Sequence, residues 1–238
     1  MRSRTFGVAL AELRSAQKTA KGVSLYSRHV NRPAGRLFAA AAYRGFLSPN
    51  QVTLVSAVSS GAAVAAIALS RPSWPLALAV YLMLALGFAL DSADGQLARL
   101  LGQSSAAGEW LDHLVDCGKI VALHSAVLVS FYRFFDLPGP GWLLVPLGYQ
   151  FAAVLIFFGG LLTDKLVLKR SGSRSSARPS LVRAAALLPV DYGVSCLVFL
   201  LLGSERLFLG AYTALGAAHL LFLMAFTVKW YRELTRSV

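Results

Sequence analysis

Six stretches of the chain stay apolar over a length that suits a membrane-crossing helix, which takes about 20 residues. They are 52–70, 74–98, 106–131, 142–162, 181–202 and 207–230. No stretch alternates apolar and polar positions over strand length, which argues against a membrane barrel. The pattern predicts an all-α polytopic membrane protein with six transmembrane helices. The fifth stretch carries Pro189, Asp191, Tyr192 and Gly193 inside its apolar run, so a kinked helix is expected there. Ahead of the first span, 32–43 (RPAGRLFAAAAY) puts Leu37, Phe38 and Ala41 on one side, with Arg32, Arg36 and Arg44 flanking and Pro33 suited to a first turn. This predicts an amphipathic helix lying in the membrane interface. Residues 5–20 mix apolar and basic positions and fit either a short helix or a solvated tail. Ser48-Pro49-Asn50 reads as the start of the first span, with Asn50 as candidate N-cap and Thr53 in the first turn. The expected organisation is a tail with an interfacial helix over 1–47, a six-helix domain over 48–231 and a short tail over 232–238.

Composition agrees: of 238 residues 56% are hydrophobic and only 14% charged, far from a soluble domain. The net charge of +12 changes the picture only through its distribution. Lys and Arg number nine before Pro49, one in the 99–105 turn, six over 165–183 and three from Lys229 onward. The opposite connections hold only Arg71, Arg133 and Arg206, a division of 19 against three, and Lys119 lies within a span. The positive-inside rule then puts both termini and the 99–105 turn on the cytoplasmic side of an inner or plasma membrane. Basicity of this kind calls for anionic lipid headgroups rather than nucleic acid. Cys117 and Cys196 lie in predicted spans, form no metal-site motif and read as small buried residues. The first 30 residues lack the apolar core and cleavage site of a signal peptide, so the first span is expected to be retained.

Residues 91–116, DSADGQLARLLGQSSAAGEWLDHLVD, interrupt the apolar background with four aspartates. Asp91, Asp94, Ala98 and Arg99 stand at i, i+3, i+7 and i+8 and share one helix face; Gly108, Asp112 and Asp116, at i, i+4 and i+8, share a face of the next helix. The segment 101–107, with Gly102, Ser104 and Ser105, is the natural turn between them. Two antiparallel helices joined there bring four carboxylates to one level. Such a cluster at a membrane boundary repels itself and asks for a cation, and oxygen ligands alone suit Mg²⁺ or Mn²⁺. His113 and Cys117 sit about 100° round the helix from their neighbouring aspartates and are left out of the cluster. Gly95 and Gly108 would let a bulky ligand approach the backbone, and Arg99 offers a fork of donors for phosphate.

The spacing D-x-x-D-G-x-x-A-R, eight residues, then G-x-x-x-D-x-x-x-D resembles the signature of the CDP-alcohol phosphotransferase (phosphatidyltransferase) family. Asp91, Asp94, Gly95, Ala98, Arg99, Gly108, Asp112 and Asp116 fill every fixed position. The resemblance implies a CDP-linked donor whose pyrophosphate sits on two divalent cations, and an alcohol that displaces CMP. On that view Asp91, Asp94 and Asp112 hold the metals, and Asp116 touches a metal and serves as general base. Gly95, Ala98, Arg99 and Gly108 shape the nucleotide pocket. The family often carries a similar Pro-Asn-x-x-Thr near that pocket, which adds Asn50 and Thr53 as donor-binding candidates, although capping alone would also explain them. The membrane setting favours CDP-diacylglycerol as donor. The basic stretch before the fifth span favours a phosphorylated polyol such as inositol phosphate or glycerol phosphate as acceptor, with inositol or serine as alternatives. Homodimerisation is suggested by the family.

Several residues lie outside the motif. Lys119, at i+3 from Asp116 and i+7 from Asp112, is expected to pair with a neighbouring carboxylate, or to contact a donor phosphate. His124 reads as a hydrogen-bonded interior histidine. Arg178 and Arg183 stand where an acceptor must enter and are candidates for its phosphate. Asp191 either lines the acceptor cavity or pairs with Arg183 or Lys119. The small residues Gly216, Ala217 and Ala218 suit close helix contact, within the chain or with a second copy. Two competing classes bind through membrane carboxylates. An intramembrane prenyltransferase would carry a second D-x-x-D, which is missing here; a cation transporter would not need the glycines, Ala98 and Arg99 at these gaps and would hold its acids near the midplane.

Overall fold

The computed structural model describes residues 5–15, 23–171 and 180–235. Nine α-helices run through them, and among the described residues there is no strand. Helix α1 is Phe6–Ser15, and a π-helical turn Ser27–Asn31 leads directly into α2, Arg32–Arg44. The long helices follow: α3 Pro49–Leu69, α4 Trp74–Leu101, α5 Ala106–Phe134 and α6 Leu144–Ser171. Two short pieces, α7 Leu181–Ala186 and α8 Tyr192–Val198, precede α9, Glu205–Thr235.

Helices α3, α4, α5 and α9 and the apolar stretch Pro140–Arg170 that contains α6 are long and apolar enough to cross a membrane. Large apolar side chains such as Leu54, Val58, Leu78, Leu82, Leu221 and Met224 stand exposed on their outer faces. In water such a surface would be untenable; against lipid it costs nothing. The chain is an integral membrane protein.

The expected fifth span departs from a continuous helix. Pro189 lacks the N–H that a helix interior needs, and α7 gives way to a 3-10 turn at Leu188–Val190. Asp191 is extended (φ −82°, ψ 130°), and its carboxylate accepts from Gly193 N at 2.8 Å, so it caps a new helix instead of continuing the old one. The apolar helix that follows, Tyr192–Leu201, is a short sixth apolar element beside the five long ones.

Ser48, not Asn50, caps α3. Its hydroxyl accepts from Gln51 N, and Gln51 Oε1 accepts from Ser48 N at 2.8 Å, a reciprocal capping box that leaves the Asn50 side chain for other contacts.

Two apolar clusters hold the bundle. The larger joins α4, α5, α6, α8 and α9 through Leu84, Val127, Phe131, Tyr149, Cys196, Phe208 and Tyr212, with Phe131 and Phe208 edge to face at 6.2 Å. His124 lies within it, its Nδ1 2.6 Å from the Tyr212 hydroxyl, as an interior hydrogen-bonded histidine. Gly216 packs against Tyr149, so this small-residue position serves the contact of α9 with α6. The smaller cluster joins α1 and α2 to α3 and α4 through Leu13, Ala39, Ala40, Val52, Ala93 and Leu97. Helix α2 therefore turns Ala39, Ala40 and Ala42 inward and leaves Leu37, Phe38 and Ala41 exposed. Gly35 is required at this contact, because a Cβ there would come within 2.6 Å of Ser92 Oγ on α4. The segment before α2 is anchored separately: the hydroxyls of Ser24 and Ser27 both donate to buried Asp191, and the Tyr26 ring lies against Gly193.

Candidate active site

A four-residue reversal connects the two helices that carry the aspartates. Helix α4 stops at Gly102, whose φ of +64° a glycine adopts without strain, and Gln103 N closes back on Ala98 O at 2.9 Å. Ser105 then caps α5 by accepting from Gly108 N at 3.0 Å. The reversal makes α4 and α5 antiparallel and sets Asp91 and Asp94 opposite Asp112 and Asp116.

Each carboxylate has its own setting. Asp94 is only 4% exposed; Thr53 Oγ1 on α3 donates to its Oδ2 at 2.6 Å, and Gly95 N to its Oδ1 at 2.5 Å. Asp91 and Asp116 are spanned by Lys119, whose ammonium lies 2.5 Å from Asp91 Oδ1, 3.2 Å from Asp116 Oδ1 and 2.9 Å from Ser56 Oγ. Ser56 in turn donates to Gly87 O at 2.7 Å, so α3 contributes to the same network. The lysine thus pairs with carboxylates, as expected from its spacing.

Asp112 adds a group that helical spacing excluded. His113 Nδ1 lies 3.7 Å from Asp112 Oδ2, and one ligand atom each from Asp112, His113 and Asp116 fall within 4.8 Å of one another. The 100° offset separates the Cα–Cβ directions of adjacent residues, but it does not stop an imidazole from folding back onto the neighbouring carboxylate. Three such donors, two carboxylates and an imidazole, suit a divalent metal ion. His113 also lies 3.7 Å from Glu109, which Lys165 of α6 approaches to 2.6 Å.

Two cavities meet at Asp91. The polar one, about 180 Å³, is lined by Arg32, Asp91, Ser92, Asp94, Gly95, Gln96, Arg99 and Asp112. The other, about 130 Å³, is mostly apolar, with Phe88, Ile120, Phe157 and Tyr192 beside Ser60, Asp91, Asp116 and Lys119. Asp116 thus faces the second cavity while Asp94 and Asp112 face the first. A charged headgroup and an apolar tail have adjoining room on either side of one carboxylate.

Residues 46–202 match the family model described as CDP-alcohol phosphatidyltransferase. The chain belongs to this family. Among curated proteins none matches it. Membership makes the protein a transferase that moves a phosphatidyl group from a CDP-alcohol to an alcohol, and the family uses divalent metals. All eight fixed residues of the acidic motif fall within the matched segment.

The remaining candidates divide. Asn50 stands beside Gly108, where an added Cβ would lie 3.4 Å from Asn50 Oδ1, and Thr53 holds Asp94, so both reach the site through α3. Ala98, half-buried, lies in the last turn of α4 and lines neither cavity. Arg183 is exposed on α7, and Asp191 is buried on Ser24, Ser27 and Gly193 rather than on Arg183 or Lys119; neither lines the two cavities. Arg178 lies outside the described residues. Besides His113, spacing missed Arg32, read from the sequence as a flank of an interfacial helix and found in the wall of the polar cavity. Gly35, a lone glycine among alanines, was the one local sign that α2 packs closely on another helix. Burial, followed by the nearby Arg28, lowers the Arg32 pKa from its ordinary value. Burial, followed by Tyr81, pushes the Tyr26 phenol up to about 12, which keeps it neutral against Gly193.

Proposed function

We propose that the protein transfers the phosphatidyl group of CDP-diacylglycerol to the hydroxyl of a polar alcohol, a phosphorylated polyol such as inositol phosphate or glycerol phosphate, and releases CMP. One observation carries the reading: a polar and an apolar cavity adjoin at Asp91, between two helix faces that bear the aspartates. A CDP-lipid has the same division, a charged nucleotide pyrophosphate joined to hydrocarbon.

In this reading the polar cavity receives the pyrophosphate and nucleotide, with Gly95 and Gly108 leaving the backbone open to it, and with Ala98, Arg99, Asn50 and Thr53 around it. Asp91, Asp94, Asp112 and Asp116 would hold two divalent cations, Mg²⁺ or Mn²⁺, with His113 as an additional ligand beside Asp112 and Asp116. Such cations supply positive charge where the phosphoanhydride is polarised and CMP departs. Thr53 keeps Asp94 aimed by its hydrogen bond, and Lys119 keeps Asp91 and Asp116 in register across α4 and α5. The acceptor hydroxyl oxygen attacks the phosphorus that carries diacylglycerol. The bond from that phosphorus to the CMP oxygen breaks, and Asp116 takes the hydroxyl proton as general base. Apolar walls from Phe88, Ile120 and Phe157 keep water from competing with the alcohol.

Both termini and the site face the cytoplasm of an inner or plasma membrane in this proposal, because the basic residues gather on that side. Helix α2 lies in the interface with Leu37 and Phe38 toward lipid, residues 48–231 form the catalytic unit, and two copies pair as a homodimer. The test is CMP release by the purified protein with CDP-diacylglycerol and Mg²⁺ or Mn²⁺, against inositol phosphate, glycerol phosphate, inositol and serine. Metal-dependent release with a phosphorylated polyol supports the reading. Release with inositol or serine alone replaces the acceptor, and absence of CDP-diacylglycerol binding removes the donor.

A further inference from the structure

We propose that Arg32, on α2 and outside the family-matching segment 46–202, forms with Arg99 a two-guanidinium clamp for a substrate phosphate in the polar cavity. The assignment rests on the reading that a phosphate-bearing substrate enters this cavity. Arg32 and Arg99 both line it, one from α2 and one from the last turn of α4.

The position of Arg32 is set by its backbone. Its carbonyl accepts from Gln96 Nε2 at 3.1 Å, and Gln96 is held by Ser92 Oγ at 3.2 Å. One turn along, Gly35 seats α2 so closely on Ser92 and Gln96 that no side chain fits there. The segment ahead is tied down through Ser24 and Ser27 on Asp191. These contacts fix the backbone from which the Arg32 side chain extends to the cavity wall, so the ordering cost of that segment does not fall on ligand binding.

Charge gives the direction. Arg32 and Arg99 are close enough to act on each other electrostatically, Arg28 adds its charge to Arg32, Asp94 offsets part of the charge of Arg99, and Arg32 is half-buried. Converging cations with part of their hydration removed are stabilised by an anion, and the planar forks of two arginines match phosphate oxygens. The same cavity carries Asp91, Asp94 and Asp112. A wall of carboxylates with two guanidiniums complements a metal-bound phosphate, in which cation and anion arrive together.

The phosphate belongs either to the CDP donor or to a phosphorylated acceptor, and two measurements on the full-length protein separate them. Binding of CDP in the presence of Mg²⁺ is measured by calorimetry in nanodiscs for the wild type, Arg32→Gln, Arg32→Lys and the exposed control Arg44→Gln. The KM and kcat for glycerol phosphate or inositol phosphate are measured on the same set. Arg32→Gln is expected to weaken CDP binding by about tenfold or more, the scale of a charged hydrogen bond. Arg32→Lys, which keeps the charge and loses the fork, should lose less, and Arg44→Gln should match the wild type. Unchanged CDP binding with a KM for the phosphorylated acceptor raised about tenfold, at retained kcat, assigns the clamp to the acceptor phosphate. Wild-type values for both quantities in Arg32→Gln and Arg32→Lys overturn the clamp. A wild type that binds CDP but releases no CMP defeats the proposed reaction while the CDP comparison still decides the clamp.

Discussion

Lys119 donates to Asp91 across 2.5 Å, linking the two helices that carry the aspartates. The pair is largely buried, with 9% of the lysine side chain and 20% of the aspartate side chain exposed, and the same ammonium reaches Asp116. In the metal-free protein the lysine is an internal counter-charge. Lys119→Met therefore leaves two carboxylates facing each other, and breaking a buried pair by removing one partner costs about 3 kcal/mol. The metal-free variant should unfold several degrees below the wild type, and Mn²⁺ should recover more of the midpoint in the variant than it adds to the wild type. Thermal unfolding with and without Mn²⁺ measures both; equal Mn²⁺ shifts would remove Lys119 as counter-charge.

The aspartates should separate by role. Asp116→Asn is expected to bind metal and CDP-diacylglycerol while turnover falls by about 10² to 10⁴, the contribution of a positioned base. Asp91→Asn and Asp112→Asn, which face the polar cavity, should lose metal-dependent donor binding itself. Donor binding and CMP release on the same preparations distinguish the two patterns, and wild-type turnover in Asp116→Asn would exclude it as base.

Thr53 is the sole side chain on α3 that donates to Asp94 among the described residues, at 2.6 Å, and Asp94 is buried. Thr53→Val keeps the shape and deletes the donor, at a cost of about 1.5 to 3 kcal/mol for a hydrogen bond to a charged group. The expected result is a lower thermal midpoint together with weaker donor binding. Thr53→Ser, which retains the hydroxyl, should restore both. Weaker donor binding in Thr53→Val at an unchanged midpoint would place Thr53 on the ligand instead.

The legible parts of this molecule are those that repeat along one helix. Apolar length revealed α3, α4, α5, α6 and α9, and the i, i+3, i+7, i+8 spacing put Asp91, Asp94 and Arg99 on one face before any contact was known. Lys119 was placed by the same arithmetic. What spacing could not reveal depends on contacts between distant segments. Arg32 reaches the polar cavity because Gly35 lets α2 lie against Ser92, a contact spanning 57 residues of chain. His113 joins Asp112 through side-chain orientation, which an angle round the helix axis does not contain. The broken fifth span was visible as Pro189 and Asp191, but hydropathy alone ran straight through them; the cap on Gly193 and the two serines that bury Asp191 appear only in three dimensions.

That buried junction makes the last prediction. A Cβ on Gly193 would overlap the Tyr26 ring, so Gly193→Ala forces either the segment before α2 or the start of α8 to move. Overpacking of this kind costs about 1 to 3 kcal/mol. Tyr192, next in the chain, lines the apolar cavity, and Arg32, six residues beyond Tyr26, lines the polar one, so the displacement reaches both sides of Asp91. Hydrogen exchange in Gly193→Ala should speed up over 23–44, and turnover should fall with it. Tyr26→Ala removes the obstructing ring, so adding Gly193→Ala to that background should cost little further stability. A double-mutant cycle over the four proteins reads the coupling directly. Strictly additive costs would show that the ring and the glycine do not constrain each other, and the junction of the segment before α2 with Asp191 would then rest on Ser24 and Ser27.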